Sequence, residues 1–285
     1  MIFTSYFNYF DNANRKNNFL KFKRTFNCVT GGIGEDTDIN LDSSFTTNQK
    51  LFLKENILNL TIKQNIHNAD FIFWIDADVS LLNGSWMDDA MQKLNSHDVV
   101  QLFTDGHHMD SSGITIERAP GYVYNQQRFN KHGHTGYAWG MTKHAFLHLG
   151  GLYEYNVIGS GDAIMARCFL QKPIPSLEES KNMKKLSFYP FSEGHQQTIV
   201  DYYNKCKDFK VSYLDNIITH GYHGELERRK YVDRYKILEK HNFDPQEMLI
   251  KNTQGILQFK DQFSDIKNDI EEFLRYKDEL PGNHS

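Results

Sequence analysis

The sequence predicts an α/β protein with a mostly parallel central sheet flanked by helices. Three observations predict it. From Met1 to Phe103, apolar β-rich runs alternate with segments of helical periodicity, which is the pattern of a parallel layer. The run Phe71-Ile72-Phe73-Trp74-Ile75 is apolar throughout, as a strand buried on both faces must be. No internal repeat or low-complexity linker interrupts the 285 residues, so a single large unit is expected.

Taken in order, Met1–Phe7 forms a first strand. Asp11–Arg24 sets Phe19, Leu20 and Phe22 beside basic residues, as a helix lying over one sheet face does. Phe26–Thr30 is a second strand ending at Gly31-Gly32, and Gly34–Asn48 is polar loop. Asn48–Gln64 places Leu51, Ile57, Leu58 and Ile62 at helical spacing, with Lys50 at the ligand end. A solvated Lys50 is the competing reading. After the central strand come a helix over Trp86–Leu94 and a strand over Asp98–Phe103. The polar stretch Thr104–Lys131 is too long for a simple connector and is expected to be functional or mobile. A short helix covers Thr142–Leu149, and a strand ends at His220. Beyond Asp244 the helical signals around Ile266, Ile270 and Phe273 are mixed.

The central strand carries the chemistry. It ends in Asp76-Ala77-Asp78, and on a strand residues i and i+2 share a face. The two carboxylates project together from the edge where open α/β sheets bind ligands. Adjacent carboxylates repel, and a shared magnesium or manganese ion relieves that repulsion while carrying substrate phosphates. The competing reading is a solvated strand end or an Asx turn. Two further blocks bear on this one. Gly136-Tyr137-Ala138-Trp139, Gly150-Gly151-Leu152-Tyr153 and Gly159-Ser160-Gly161-Asp162 form a glycine-rich block that lets backbone approach a ligand, with Asp162 either a helix N-cap or a reactive acid. His220-Gly221-Tyr222-His223-Gly224 supplies imidazoles, the commonest metal ligands. Arg228, Arg229 and Arg234 follow and suit a diphosphate. A solvated charged helix is the alternative there.

Composition bounds the partners. A formal charge of −4 offers no basic field for nucleic acid, leaving that class as an alternative acceptor only. Three widely spaced cysteines, Cys28, Cys168 and Cys206, argue against a disulfide framework and for a reducing, cytoplasmic setting. There is no signal-peptide pattern and no apolar run of membrane length.

Together the three blocks resemble metal-dependent glycosyltransferases of the GT-A fold. Trp74-Ile75-Asp76-Ala77-Asp78 resembles their Asp-x-Asp strand end, and the glycine block resembles the acceptor side of β-1,4-galactosyltransferases. The pattern His220, His223, Gly224, Arg229, Tyr231, Arg234 resembles small glycosyltransferases of bacteria, phages and large DNA viruses. The likeness spans about residues 1–260, which it implies are one GT-A domain, with 261–285 a helical appendix and tail. It implies sugar transfer from a UDP- or GDP-linked donor to a glycan or other hydroxyl acceptor, with Mn2+ or Mg2+ as cofactor and inversion of configuration. By the same resemblance Asp78 is a metal ligand and Asp76 a ribose or metal contact. Either His220 or His223 completes the metal set, and Asp162 is the base. Thr4, Tyr6, Lys50, Arg229 and Arg234 become donor contacts, and Trp139, Gly136 and Gly161 acceptor or sugar contacts. The galactosyltransferases' stem, membrane anchor and disulfides have no counterpart in this sequence. Two rivals stand beside this reading: a nucleotide-sugar- or glycan-binding module without turnover, and a glycosyltransferase that modifies bases in DNA.

Overall fold

A computed structural model describes residues 1–34, 39–172, 191–224, 228, 230 and 233–278. Arg229 and Tyr231 therefore lie outside the described residues. Strand β1 (Ile2–Phe7), helix α1 (Ala13–Thr25), β2 (Cys28–Ile33), β3 (Ser43–Phe45), α2 (Lys54–Asn65) and β4 (Phe71–Ile75) open the chain. Next come β5 (Val79–Leu81), α3 (Trp86–Leu94), β6 (Val99–Gln101), β7 (Asp105–Met109), β8 (Thr115–Pro120) and α4 (Tyr122–Phe129). They are followed by β9 (Ala138–Thr142), α5 (Lys143–Leu149), α6 (Gly161–Phe169), α7 (Glu193–Lys205), β10 (Val211–Tyr213) and β11 (Ile217–His220). Last come α8 (Tyr235–Lys240), α9 (Pro245–Met248), β12 (Leu249–Lys251), β13 (Leu257–Phe259) and α10 (Ser264–Asp278).

The central sheet has seven strands in the order β10-β6-β9-β4-β1-β2-β3. All its pairings are parallel except those of β9, which runs antiparallel to both β4 and β6. The expected α/β class, a mostly parallel sheet with flanking helices, is the observed one. Strand β4 is buried along Ile72–Ile75 because it lies inside the sheet with side chains covered on both faces. One core cluster joins Phe3, Ile57, Trp74, Trp139 and Phe169, and α10 adds Ile266, Ile270, Phe273 and Leu274 to it.

One stretch gains structure that its sequence did not show, and one expectation needs correction. Thr104–Lys131, expected only to be more than a simple connector, holds the β7–β8 hairpin followed by α4. Strand β8 is largely exposed over Ile116–Arg118, so its sequence stays polar and its strand character is hidden. Helix α2 begins at Lys54, not at Asn48, with Leu51 and Leu53 already buried in the segment before it. A second sheet, β5-β11-β7-β8, stands beside the end of β4. Its antiparallel β5–β11 pair sets His220 opposite Val79, directly after Asp78.

Candidate active site

The carboxyl ends of β1 and β4, the start of β9 and the end of β11 surround a cleft of about 670 Å3. Its lining includes Tyr6, Lys54, Glu55, Asp76, Asp78, Tyr137, Asp162, His220, His223 and Arg234. The chain turns sharply after β4, with Val79 N–H donating to the Asp76 carbonyl at 3.0 Å. This turn aims both carboxylates at the cleft and sends β5 into the second sheet. Gly221 N–H then donates to the Asp78 carbonyl at 2.7 Å, tying the histidine loop to the turn.

Asp78 Oδ2 lies 3.4 Å from His220 Nε2 and 3.2 Å from His223 Nε2. Ligand atoms of the three residues all fall within 4.8 Å of one another, the one such trio among the described residues. A carboxylate and two imidazoles suit manganese, zinc or iron, and manganese accepts this mix while keeping positions open for phosphate oxygens. The donor set fits a divalent cation. His220 and His223 both reach Asp78, so geometry gives no reason to select one over the other.

Asp76 has different partners. Its Oδ1 lies 2.6 Å from Lys54 Nζ, and its Oδ2 accepts from Tyr137 N–H at 3.3 Å. Asp76 N–H in turn donates to the Tyr137 carbonyl at 2.8 Å. Tyr137 has φ of +76°, in a region that costs a bulky residue of order 1–3 kcal/mol. That strain is held at the point where β9 delivers its backbone to Asp76. Burial raises the Asp76 carboxyl above its ordinary value, Lys54 opposes the shift, and Asp78 and Asp162 add to it. Burial alone would lower the Lys54 ammonium, but Asp76, Asp162 and Glu55 reverse this and hold it charged. Glu55, 2% exposed, is pushed up to about 7 by burial, with Lys54 opposing and Asp162 reinforcing.

Asp162 occupies the first turn of α6, behind Ser160, which is the N-cap with φ of +70°. The N-cap alternative for Asp162 therefore does not apply. Its Oδ1 accepts from Ala163 N–H at 2.9 Å. A Cβ placed on Gly136 would stand 2.5 Å from Asp162 Oδ2, and one on Gly161 would stand 2.8 Å from Glu55 Cδ. Both glycines are required by close approach to these acids. Arg234, 5% exposed, donates to Ser160 Oγ and so buttresses the turn that presents Asp162.

Several expected contacts sit elsewhere. Trp139 is 2% exposed, stacks on Trp74 at 6.3 Å and donates to the Thr135 carbonyl at 2.8 Å, so it is core and absent from the lining. Tyr137, which precedes β9 and has φ of +76°, breaks the strand alternation at this point and takes the cleft side instead. Lys50 also lies off the lining, with its ammonium 4.8 Å above the Phe10 ring. Lys54, one turn later, stands in the cleft instead. Thr4 is fully buried and donates to the Ile75 carbonyl at 2.7 Å, supporting the strand end from below. Tyr6 is in the lining and packs on Phe19 at 4.4 Å. Sequence reasoning missed Lys54, Glu55, His108 and His134. The ring of His134 stacks on Tyr137 at 3.6 Å, and the Tyr137 hydroxyl bonds His108 Nε2. The usable signal for Lys54 and Glu55 was the pair of charges directly ahead of the buried stretch Asn56–Asn59.

No family model and no curated protein matches this chain. Solved structures do resemble it. The catalytic domain of Drosophila β1,4-galactosyltransferase 7 with xylobiose is 9% identical, with TM-score 0.36 over 96% of this chain and 97% of that one. A mutant of the Drosophila enzyme with manganese, UDP-Gal and xylobiose is 10% identical, with TM-score 0.41 over 97% and 98%. A nucleotide-diphospho-sugar transferase from Desulfovibrio desulfuricans G20 is 11% identical, with TM-score 0.33 over 84% and 94%. At such identities and scores, the function of this chain has to be argued from its own site. Among the described residues no helix is long and apolar enough to cross a membrane.

Proposed function

We propose that this protein is a metal-dependent glycosyltransferase of the GT-A type that moves a sugar from a UDP- or GDP-linked donor to a hydroxyl acceptor with inversion. The observation that carries it is the Asp78–His220–His223 trio opening into the cleft that Asp162 also lines. Asp78, His220 and His223 would hold the cation. When bound, the cation supplies positive charge at the donor's diphosphate, where negative charge grows as the leaving group departs.

The chain's own residues do the rest. Asp162 accepts the proton of the acceptor hydroxyl as that oxygen attacks the anomeric carbon. The bond from that carbon to the diphosphate breaks, and the nucleoside diphosphate leaves with its electron pair. A carboxylate base must lie within hydrogen-bond reach of the hydroxyl, and Asp162 is among the residues that line the cleft. A single base with direct attack favours inversion. Arg234 keeps the Asp162 turn in place through Ser160. Lys54 neutralises Asp76 and moderates the field of Asp162. The stacked Tyr137 and His134 rings stand in the same lining as Asp162.

The test is to incubate the protein with manganese and a panel of nucleotide sugars. One donor should release free nucleoside diphosphate slowly without acceptor, and a chelator should stop it. A panel in which a donor binds but none is hydrolysed would leave a binding module as the better account, and one in which no donor binds would overturn the proposal.

A further inference from the structure

The cleft's metal loop is tied to the far end of the chain through one buried side chain. Asn12 is 2% exposed and is the N-cap of α1. Its Oδ1 accepts from Arg15 N–H at 3.1 Å, which is the ordinary capping bond. Its Nδ2 does something further. It donates to the carbonyl of His223 at 3.2 Å and to the carbonyl of Asp278 at 3.0 Å. An amide nitrogen has two N–H donors, and both are committed here, one to a residue of the trio and one to the last turn of α10. Asn8 fixes the Asn12 backbone from both sides, accepting from its N–H at 3.0 Å and donating to its carbonyl at 3.2 Å.

The connection is reinforced at each end. Arg15 Nη2 lies 2.7 Å from Asp278 Oδ1, with both side chains largely covered. Asn18 Nδ2 donates to the Tyr222 carbonyl at 3.0 Å, so α1 grips two successive carbonyls of the histidine loop. Helix α10 is itself rooted in the main core by Ile266, Ile270, Phe273 and Leu274. Arg15 and Lys277 also line the cleft.

We infer that Asn12 is a positioning residue of the metal centre, and that the last turn of α10 is the fixed point against which it holds His223. This rests on the proposed metal site and extends it to the C-terminal helix. Groups that orient a ligand without touching the metal change its affinity by about 10–100-fold when lost. Coupling of this kind is reciprocal. Whatever tightens the His223 loop must also tighten docking of the Lys277–Asp278 turn, and cation binding is such an event.

Asn12→Ser provides the cleanest test. Serine caps a helix about as well as asparagine, carries no charge, and is too short to bridge two carbonyls. Manganese affinity is measured on the metal-stripped full chain from the electron-paramagnetic signal of free Mn2+, with no nucleotide and no turnover. Asn12→Ser should weaken binding by about 10-fold or more. Thr142→Ala is the control: Thr142 caps α5 by accepting from Ala145 N–H at 3.1 Å, at the opposite end of β4 from the acids. It should lose stability and keep wild-type manganese affinity. Wild-type affinity in Asn12→Ser overturns the inference while leaving the metal site standing. A wild-type chain that binds no manganese overturns both. If Asn12→Ser fails to fold, amide hydrogen exchange on the wild type decides. Added manganese should slow exchange at Leu274–Asp278 as well as around His223, and unchanged exchange at Leu274–Asp278 overturns the coupling.

Discussion

Asp76 and Asp78 are two residues apart on one strand end, yet their surroundings differ in kind. Both oxygens of Asp76 are engaged by the protein, one by Lys54 at 2.6 Å and one by the Tyr137 amide. Asp78 instead meets His220 and His223 at 3.4 and 3.2 Å, side chains that ligate a cation when neutral. The first acid belongs to an internal charge network that also contains Glu55 and Asp162. The second belongs to the trio proposed to hold the cation. An Asp-x-Asp pattern therefore does not by itself assign two equal metal ligands. What separates them is which elements arrive opposite each one, β9 and α2 for Asp76, and β11 for Asp78.

The widest separation of roles should come from the acid across the cleft. Asp162→Asn keeps the shape of the side chain and its bond to Ala163 N–H but cannot take a proton. Transfer should fall by about 100-fold or more, the usual cost of losing a general base, while donor affinity stays near normal. Near-normal transfer would remove Asp162 from the chemistry.

Breaking the internal pair should cost stability first. Asp76→Asn leaves the Lys54 ammonium short of its nearest counter-charge and should destabilise the fold by about 2 kcal/mol. That is below the range for fully buried pairs, because the Asp76 side chain is 26% exposed. Adding Lys54→Met should restore part of the loss in urea unfolding, since it removes the uncompensated ammonium, although Glu55 and Asp162 then lose the cation beside them. A double variant no more stable than Asp76→Asn would mean that the pair does not act as a unit.

Within the ligand set, His220→Ala and His223→Ala should each raise the manganese concentration needed for half-maximal donor hydrolysis by about 10-fold or more. If only one does, the other is a packing residue. If neither does, the imidazoles are not ligands.

The smallest effect is a pH slope. Glu55 binds its proton more tightly folded, at about 7, than unfolded, near 4.5. Its contribution to stability is whole below the unfolded value and is lost as pH rises through about 7. His195, lowered by burial to about 3, acts in the other sense, and its contribution is lost as pH falls below about 6.5. Comparing wild type with Glu55→Gln cancels the His195 part. Between pH 4.5 and 7.5, the stability of wild type relative to Glu55→Gln should decline as pH rises. A difference that stays flat with pH would place the Glu55 carboxyl near its ordinary value.

Much of this arrangement was legible in the sequence because it is local. Strand β4 announces itself by its apolar run, and Asp76, Asp78, Gly136, Asp162, His220 and His223 stand at the ends of recognisable elements. What the sequence hid depends on register and on contacts between distant segments. Trp139 looked like a sugar contact, but it is buried in the core, and Tyr137, whose positive φ just before β9 breaks the strand alternation, takes the cleft. Lys50 looked like the first basic residue of α2, but Leu51 and Leu53 are buried before the helix begins, which moves the working cation to Lys54. The polar β7–β8 hairpin lacked a strand signal because β8 faces solvent, and it carries His108 into the site. Asn12 gave no signal at all, since a helix cap in sequence does not reveal that its amide reaches His223 and Asp278.

The central claim is that Asp78, and not Asp76, anchors a cation on which donor binding depends. Isothermal calorimetry of manganese with wild type, Asp78→Asn and Asp76→Asn, each with and without a nucleoside diphosphate, tests it most directly. Asp78→Asn should lose manganese affinity by more than about 100-fold, beyond the range for groups that only orient a ligand, and lose nucleotide binding with it. Asp76→Asn, measured where it remains folded, should keep manganese affinity within about 10-fold of wild type. Equal losses in the two variants, or nucleotide binding indifferent to manganese, would contradict the account.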